Sequence, residues 1–143
     1  KVTASDNQEV LKELSEDRYF IRQPNLKSLS GIIKLMDESY KDAKTFFSQP
    51  SYNTLVVIPL KDEIVPRKPL IELLEVTNIK SYEFSSDFLI FESSYHMILR
   101  DIKGDNVTEE IKKWIVERKN KKQNDFSEVI KKLKNADYYH ILD

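Results

Sequence analysis

The apolar residues between Leu26 and Phe47 recur at alternating intervals of three and four positions. They are Leu26, Leu29, Ile33, Met36, Tyr40, Ala43 and Phe47. This spacing places them on one side of an α-helix over about three heptads. Because Pro50 disfavours helical geometry in the residue before it, the helix is predicted to end near Ser48 or Gln49. Either the fold of this chain or another chain must therefore cover one long apolar side of a helix.

Two interpretations of this apolar side remain open. Either it covers the chain's own sheet, or its N-terminal half packs against another chain, which would be a partner helix or a second copy. We favour the first interpretation, because three heptads are near the lower limit for an independent coiled coil and Tyr40 and Ala43 are poor seam residues. In the second interpretation, a partner would contact the helix itself or a groove near the short helix that follows. The predicted protein-binding residues are Leu29, Ile33, Met36, Tyr40, Leu74 and Tyr82.

The middle of the chain alternates between short strands and one short helix. The segment "NTLVVIPL" (53–60) is typical of a buried strand because it is apolar and β-branched. The segment "PLIELLEV" (69–76) predicts a helix of two turns with a proline in its first turn. Alternating apolar residues predict further strands at 80–84, 88–92 and 95–102.

Helices are predicted at both ends of the chain. Ser5 or Asp6 is the expected N-cap of the first one, and Thr108 is the expected N-cap of another, after a break at Gly104. A last helix begins at Asp125.

These elements predict a single α+β domain over residues 1–143. It has N-terminal helices, a central sheet of three or four strands, and two C-terminal helices. Residues 1–49 form the helical N-terminal part, and residues 52–143 form the sheet and the C-terminal helices.

The amino-acid composition disfavours catalysis and the binding of metals or cofactors. The chain has no cysteine, two histidines and two glycines, and neither glycine lies in a phosphate-binding loop. We therefore expect no catalytic residues, no metal site and no cofactor, and we predict that the protein is not an enzyme. No apolar run approaches the length needed to cross a bilayer, so no membrane partner is expected.

A group of basic residues lies in the second half of the penultimate predicted helix and just after it. The predicted nucleic-acid contacts are Lys112, Lys113, Lys119, Lys121 and Lys122. On a helix Lys112 and Lys119 share one side, whereas Lys113 points elsewhere, so the group does not form the single face of a groove-reading helix. The formal net charge of −1 also lacks the basic excess of a typical nucleic-acid binder. We favour a solvated helix end and keep nucleic-acid binding as the alternative.

The segment "PLIELLEVTNIKSYEFSSDFLIFESSYHMILRDI" (69–102), followed by terminal helices, resembles the RWD-type globular domains of kinetochore and monopolin proteins. The similarity lies in the leucine-rich helix, in "SYE" (81–83) at a first strand, and in "FLIF" (88–91) at a second. It implies an antiparallel meander, a position after a coiled coil, and a role in chromosome-segregation assemblies.

A BRCT-like domain is the rival resemblance. It accounts for "TLVVIPL" (54–60) as a strand before the short helix, and for "KKWIVERK" (112–119) as a late helix that carries a tryptophan. The Gly-Gly pair and the Ser/Thr-Gly phosphate site of that family are absent, so phosphopeptide binding is not implied.

Both resemblances imply an interaction module. We therefore predict a non-catalytic protein–protein interaction domain of an intracellular, nuclear, chromosome-associated assembly. Its partner would be another protein, contributing a peptide segment or a helix, and a homodimer is one form that this interaction could take.

Overall fold

The structure of the protein is a computed structural model that describes residues 2–49, 51–76, 86–117 and 126–136. Within these residues the chain forms five helices and two strands, and the predicted α+β class is confirmed. Their order is α1 (Gln8–Glu16), α2 (Leu26–Ser48), β1 (Thr54–Pro59), α3 (Lys68–Val76), β2 (Ser86–Phe91), α4 (Gly104–Glu117) and α5 (Phe126–Asn135).

The sheet consists of β1 and β2, which pair in parallel. Thr54 lies opposite Ser86 at the start of the pair, and Pro59 lies opposite Phe91 at its end. Parallel neighbours need a crossover connection, and the segment containing α3 provides it. The loops that follow β1 and β2 therefore lie at the same edge of the sheet.

The prediction of three or four strands is not confirmed. Residues 95–102, predicted as a strand, form turns. The amides of Arg100 and Asp101 both donate to the carbonyl of Met97, at 2.7 and 3.1 Å, so this backbone bonds locally instead of joining the sheet. The predicted strand at 80–84 lies outside the described residues.

Two helix starts also differ from the predictions. The N-cap of α1 is Asn7, whose side chain accepts from the amides of Glu9 and Val10. Ser5 and Asp6 instead bond to residues of the distant loop after β2. Helix α4 begins at Gly104, so this glycine starts a helix and Thr108 is not its N-cap. The Thr108 hydroxyl donates to the Gly104 carbonyl inside the helix, at 3.1 Å.

The hydrophobic core lies between the sheet, α3 and α5. Its buried members are Ile58, Leu60, Leu74, Phe88, Phe126, Val129 and Leu133. Phe88 is the centre of an aromatic contact chain: the Phe126 ring meets it edge-on at 5.1 Å and the Phe47 ring stacks on it at 6.2 Å. Phe47 thus joins the C-terminal end of α2 to the core.

Helix α4 is attached to the sheet by a polar contact. The indole of Trp114 donates to the carboxylate of Asp87 at 2.7 Å, and Asp87 is itself buried in β2. A hydrogen bond to a carboxylate in such surroundings is stronger than a neutral one, so it fixes the position of α4 on the sheet.

Candidate protein interface

Helix α2 has well-defined ends. The Asn25 side chain caps it by accepting from the Ser28 amide at 2.8 Å, and the Gln49 amide donates to the Thr45 carbonyl at 2.9 Å. Its 23 residues give a rod of about 35 Å. The predicted helix and its predicted end are both confirmed.

None of the residues of α2 is buried. Half-buried positions occur only from Tyr40 onward, at Tyr40, Ala43, Phe47 and Ser48. Every residue between Leu26 and Ser39 is exposed. The favoured interpretation, that this apolar side covers the chain's own sheet, therefore holds only at the C-terminal end of α2 and is wrong for its N-terminal half.

The exposed half of α2 carries an unusual amount of apolar surface. Four residues of the heptad pattern form what we call the exposed stripe: Leu26, Leu29, Ile33 and Met36, with exposed fractions of 85%, 41%, 60% and 55%. On a helix of 3.6 residues per turn they fall within about 80° of arc. Soluble monomers seldom leave apolar patches of this kind uncovered, and those that do occur often mark interaction sites.

Two further apolar residues widen this surface beyond the predicted one. Ile32 and Leu35 lie outside the heptad pattern, and both are more than half exposed. They extend the apolar arc to about 180°. The doublets Ile32-Ile33 and Leu35-Met36 are the sequence signal for this broader surface, because a strict heptad has no adjacent apolar pairs of that kind.

Charged residues lie on the other side of the exposed half. Lys27 and Lys34 are each more than 100° from the centre of the exposed stripe by helical geometry. Lys34 pairs with Glu38 at 3.8 Å along the polar side. The exposed stripe is therefore flanked by Ser30 and Ile32 and contains no charge of its own.

The segment that leads into α2 is also apolar and exposed. Tyr19, Phe20 and Ile21 have exposed fractions of 76%, 46% and 72%. Arg22 bonds back to the carbonyls of Ser15, Asp17 and Phe20, which holds the start of this segment against the end of α1. These three residues have no clear signal in the sequence, because a short apolar run without periodicity is ambiguous.

The other predicted protein-binding residues have different positions. Tyr40 is half-buried where α2 approaches the body of the domain. Leu74 is only 2% exposed in the core, so it contributes to packing and offers no surface to a partner. Tyr82 lies outside the described residues.

The predicted nucleic-acid contacts are described only in part. Lys112 and Lys113 are exposed on α4, and they form ion pairs with Glu109 at 2.6 Å and Glu110 at 2.5 Å. The hydrogen bond and charge of Glu109 raise the pKa of Lys112, and those of Glu110 raise the pKa of Lys113. Each lysine is thus paired with an acidic neighbour. Lys119, Lys121 and Lys122 lie outside the described residues.

The carboxyl edge of the sheet is a second candidate site, because open α/β sheets often bind ligands there. Nδ1 of His96 lies 2.9 Å from Oδ2 of Asp62, and Oδ1 of Asp62 accepts from the amides of Ile64 and Val65. The pair connects the loops after β1 and β2 and fixes the orientation of the imidazole. Across the four described ranges, no group of three or more His, Cys, Asp or Glu residues is placed to hold a metal ion.

Next to the His96–Asp62 pair, residues 3–7 pack on the loop 94–104 through polar contacts. We call this unit the clasp. The carboxylate of Asp101 is at its centre and accepts from the hydroxyl of Ser5 at 2.6 Å and from the amide of Tyr95 at 2.7 Å. Ser5 is 0% exposed and Asp101 is 6% exposed. The Met97 amide adds a bond of 2.9 Å to the Ala4 carbonyl. The sequence contains no local signal for the clasp, since Ser5 and Asp101 are 96 positions apart.

No protein-family model matches this chain, and a comparison with curated proteins gives no significant match. Among the helices of the described ranges, none is both long enough and apolar enough to cross a membrane. The exposed half of α2 is the main part of the candidate site.

Proposed function

We propose that this chain is a non-catalytic protein–protein interaction domain, and that a partner binds the exposed stripe of α2 together with Ile32. The observation that carries the proposal is that a helix of 23 residues has no buried residue while large apolar side chains cover its N-terminal half. Most helical stability in proteins comes from packing of an apolar face. A partner helix would supply that packing.

The geometry of α2 suits a helical partner. The C-terminal end of the helix is held by Phe47 against Phe88, so its exposed half is presented on a fixed support. Spacing of three and four residues is the pattern by which one helix receives the side chains of another. A partner helix that continued the contact from Leu26 to Met36 would cover about three turns.

On the sequence resemblance to RWD-type domains alone, we further propose that the setting is a chromosome-associated, kinetochore-type assembly in the nucleus. The long apolar-striped helix upstream of the sheet supports this proposal, because the resemblance implies a preceding coiled coil.

The test uses a double substitution on the exposed stripe. The L29D/M36D variant places two charges on the stripe, and G31D/T45D adds the same two charges on the polar side of α2, where a Cβ at position 31 meets nothing within 4 Å. Each chain is immobilised and exposed to a nuclease-treated extract of the native cell, so that retention through nucleic acid does not contribute.

We expect L29D/M36D to lose the retained proteins by more than about tenfold, because anchors at the centre of an interface contribute most of the binding free energy. The G31D/T45D variant should retain them. Equal retention by wild type and L29D/M36D would show that the stripe is not the binding surface.

A further inference from the structure

We propose that the partner of the exposed stripe is a second copy of this chain, bound in antiparallel orientation. This inference rests on the proposed function, because it names the occupant of the surface assigned there. Three features support it: the spacing of the stripe, the residues that flank it, and the position of the domain body relative to α2.

The spacing of the exposed stripe is the same in both directions. The intervals from Leu26 to Leu29 to Ile33 to Met36 are three, four and three residues. When the helix is paired with a reversed copy, Leu26 meets Met36 of the second copy, and Leu29 meets its Ile33. The same contacts recur on the other side of a twofold axis at residue 31. A self-complementary patch of this kind is what an isologous dimer requires.

The flanking residues also suit a self-pair. Ser30 and Ile32 lie one on each side of the stripe near the twofold axis, so each approaches its own counterpart. In a self-pair any charge at these positions would face an identical charge and oppose association. Both residues are uncharged, and Lys27 and Lys34 are directed away.

The body of the domain favours the antiparallel orientation. The heptad pattern continues through Tyr40 and Phe47, but this part is already half-buried, with Phe47 stacked on Phe88. Tyr40 lies nine residues beyond the axis, which is about 13 Å along the helix. In an antiparallel pair the two bodies lie at opposite ends of the overlap. A parallel pair would bring both bodies together at one end.

The overlap is short, so the expected dimer is reversible. Four apolar layers over about three turns form an interface at the small end of the range for specific association. Its population should rise with protein concentration.

The decisive experiment is disulfide trapping, which is simple here because the chain has no cysteine of its own. Two variants of the 143-residue chain are made, Leu29→Cys and Ile33→Cys, and one carries a tag so that a mixed dimer differs in mass. Each is oxidised alone and in an equal mixture. The control is Lys27→Cys mixed with Lys34→Cys, two positions on the polar side that are almost symmetric about residue 31.

We expect a mixed disulfide between Leu29→Cys and Ile33→Cys and little dimer from either variant alone. In the antiparallel pair, two copies of the same position are displaced by about 6 Å along the axis, which is too far once the separation of the helices is added. Dimers from each variant alone, without preference for the mixture, would overturn the antiparallel orientation. Equal cross-linking of the control would show random collision and overturn the proposal.

Absence of any cross-linked dimer at about 100 µM protein would overturn self-pairing, because even weak self-association is populated at this concentration. This outcome is distinct from failure of the proposed function, since the extract experiment could still show a different protein lost from L29D/M36D.

Sedimentation of variants without cysteine gives an independent measurement. Leu29→Asp should weaken self-association by more than about tenfold, whereas Leu35→Asp, which changes an equally apolar residue outside the stripe, should have a much smaller effect. An equal loss in both variants would contradict a contact centred on the stripe.

Discussion

Leu26 is 85% exposed on α2, whereas Asp101 is 6% exposed in the clasp. Burial in this chain therefore depends on the contacts that each side chain makes and not on its polarity alone. Asp101 accepts hydrogen bonds from Ser5 and Tyr95, so its burial is compensated. The residues of the exposed stripe are 41–85% exposed, so much of their apolar surface faces solvent. The clasp is thus a satisfied contact within the chain, and the stripe is the surface at which we propose that a partner binds.

The largest loss of stability should come from shortening a leucine in the core. Shortening a leucine of the stripe provides the comparison. Leu74 is 2% exposed, so Leu74→Ala leaves a cavity and should lower the free energy of unfolding by about 2–5 kcal/mol. Leu26→Ala should change it by less than about 0.5 kcal/mol. Urea denaturation at low protein concentration measures both values. A similar loss in both variants would show that Leu26 packs in the fold.

Removal of the central carboxylate tests the clasp. Asp101→Ala leaves the Ser5 hydroxyl and the Tyr95 amide without their acceptor, and should destabilise the protein by about 2–3 kcal/mol. The control is Glu92→Ala, which changes an exposed carboxylate of the preceding loop and should have an effect below about 0.5 kcal/mol. If the two variants unfolded at the same urea concentration, the clasp would contribute no stability.

Alanine at each of the two glycines should change stability in opposite directions, lowering it at the clasp and raising it in α2. A Cβ at Gly104 would overlap the backbone carbonyl of Leu99, so Gly104→Ala should cost about 1–3 kcal/mol. A Cβ at Gly31 would meet nothing within 4 Å, so Gly31→Ala should stabilise α2 by about 0.5–1 kcal/mol through helix propensity. Thermal unfolding of both variants measures the signs. Destabilisation by Gly31→Ala would indicate that something packs on the polar side of α2.

The smallest effect is expected at the ion pairs of α4. Both pairs are on the surface, so the double variant E109Q/E110Q should lower Tm only slightly, and added salt should remove most of the difference.

The pH dependence of this effect follows from the pKa shifts. The hydrogen bond from Lys112 lowers the pKa of Glu109 below its ordinary value of 4.5, so this contribution is present above that value and is lost as pH falls through the lowered pKa. Because the pKa of Lys112 is raised above 10.5, its contribution is present below that value and is lost as pH rises through the raised pKa. Between these limits the difference in Tm should not vary with pH. A large dependence near neutral pH would contradict the assignment of the pairs.

Local patterns in the sequence predicted the helices and the first strand well. The heptad pattern identified α2 and its end, and the apolar run at 53–60 identified β1. The strand predicted at 95–102 was wrong, because alternation of Tyr95, Met97 and Leu99 is also compatible with a series of turns. The clasp that holds this loop depends on Ser5, which is remote in the sequence, so no local pattern predicts it.

The candidate site was predicted only in part, for a different reason. Leu29, Ile33 and Met36 were correctly grouped on one side of a helix, but an apolar stripe is the same whether it faces the chain's own core or another chain. Only the exposure of these residues distinguishes the two cases. Leu74 is the opposite case. It was predicted as a residue of a partner surface, but its side chain is buried in the core.

The most direct test of the central claim is equilibrium unfolding of L29D/M36D at low protein concentration. If the stripe lies on the surface of the isolated domain, two aspartates there should change the free energy of unfolding by less than about 1 kcal/mol. A loss of about 4 kcal/mol or more, the effect of placing unpaired charges in a core, would show that the stripe is part of the fold and not a binding surface.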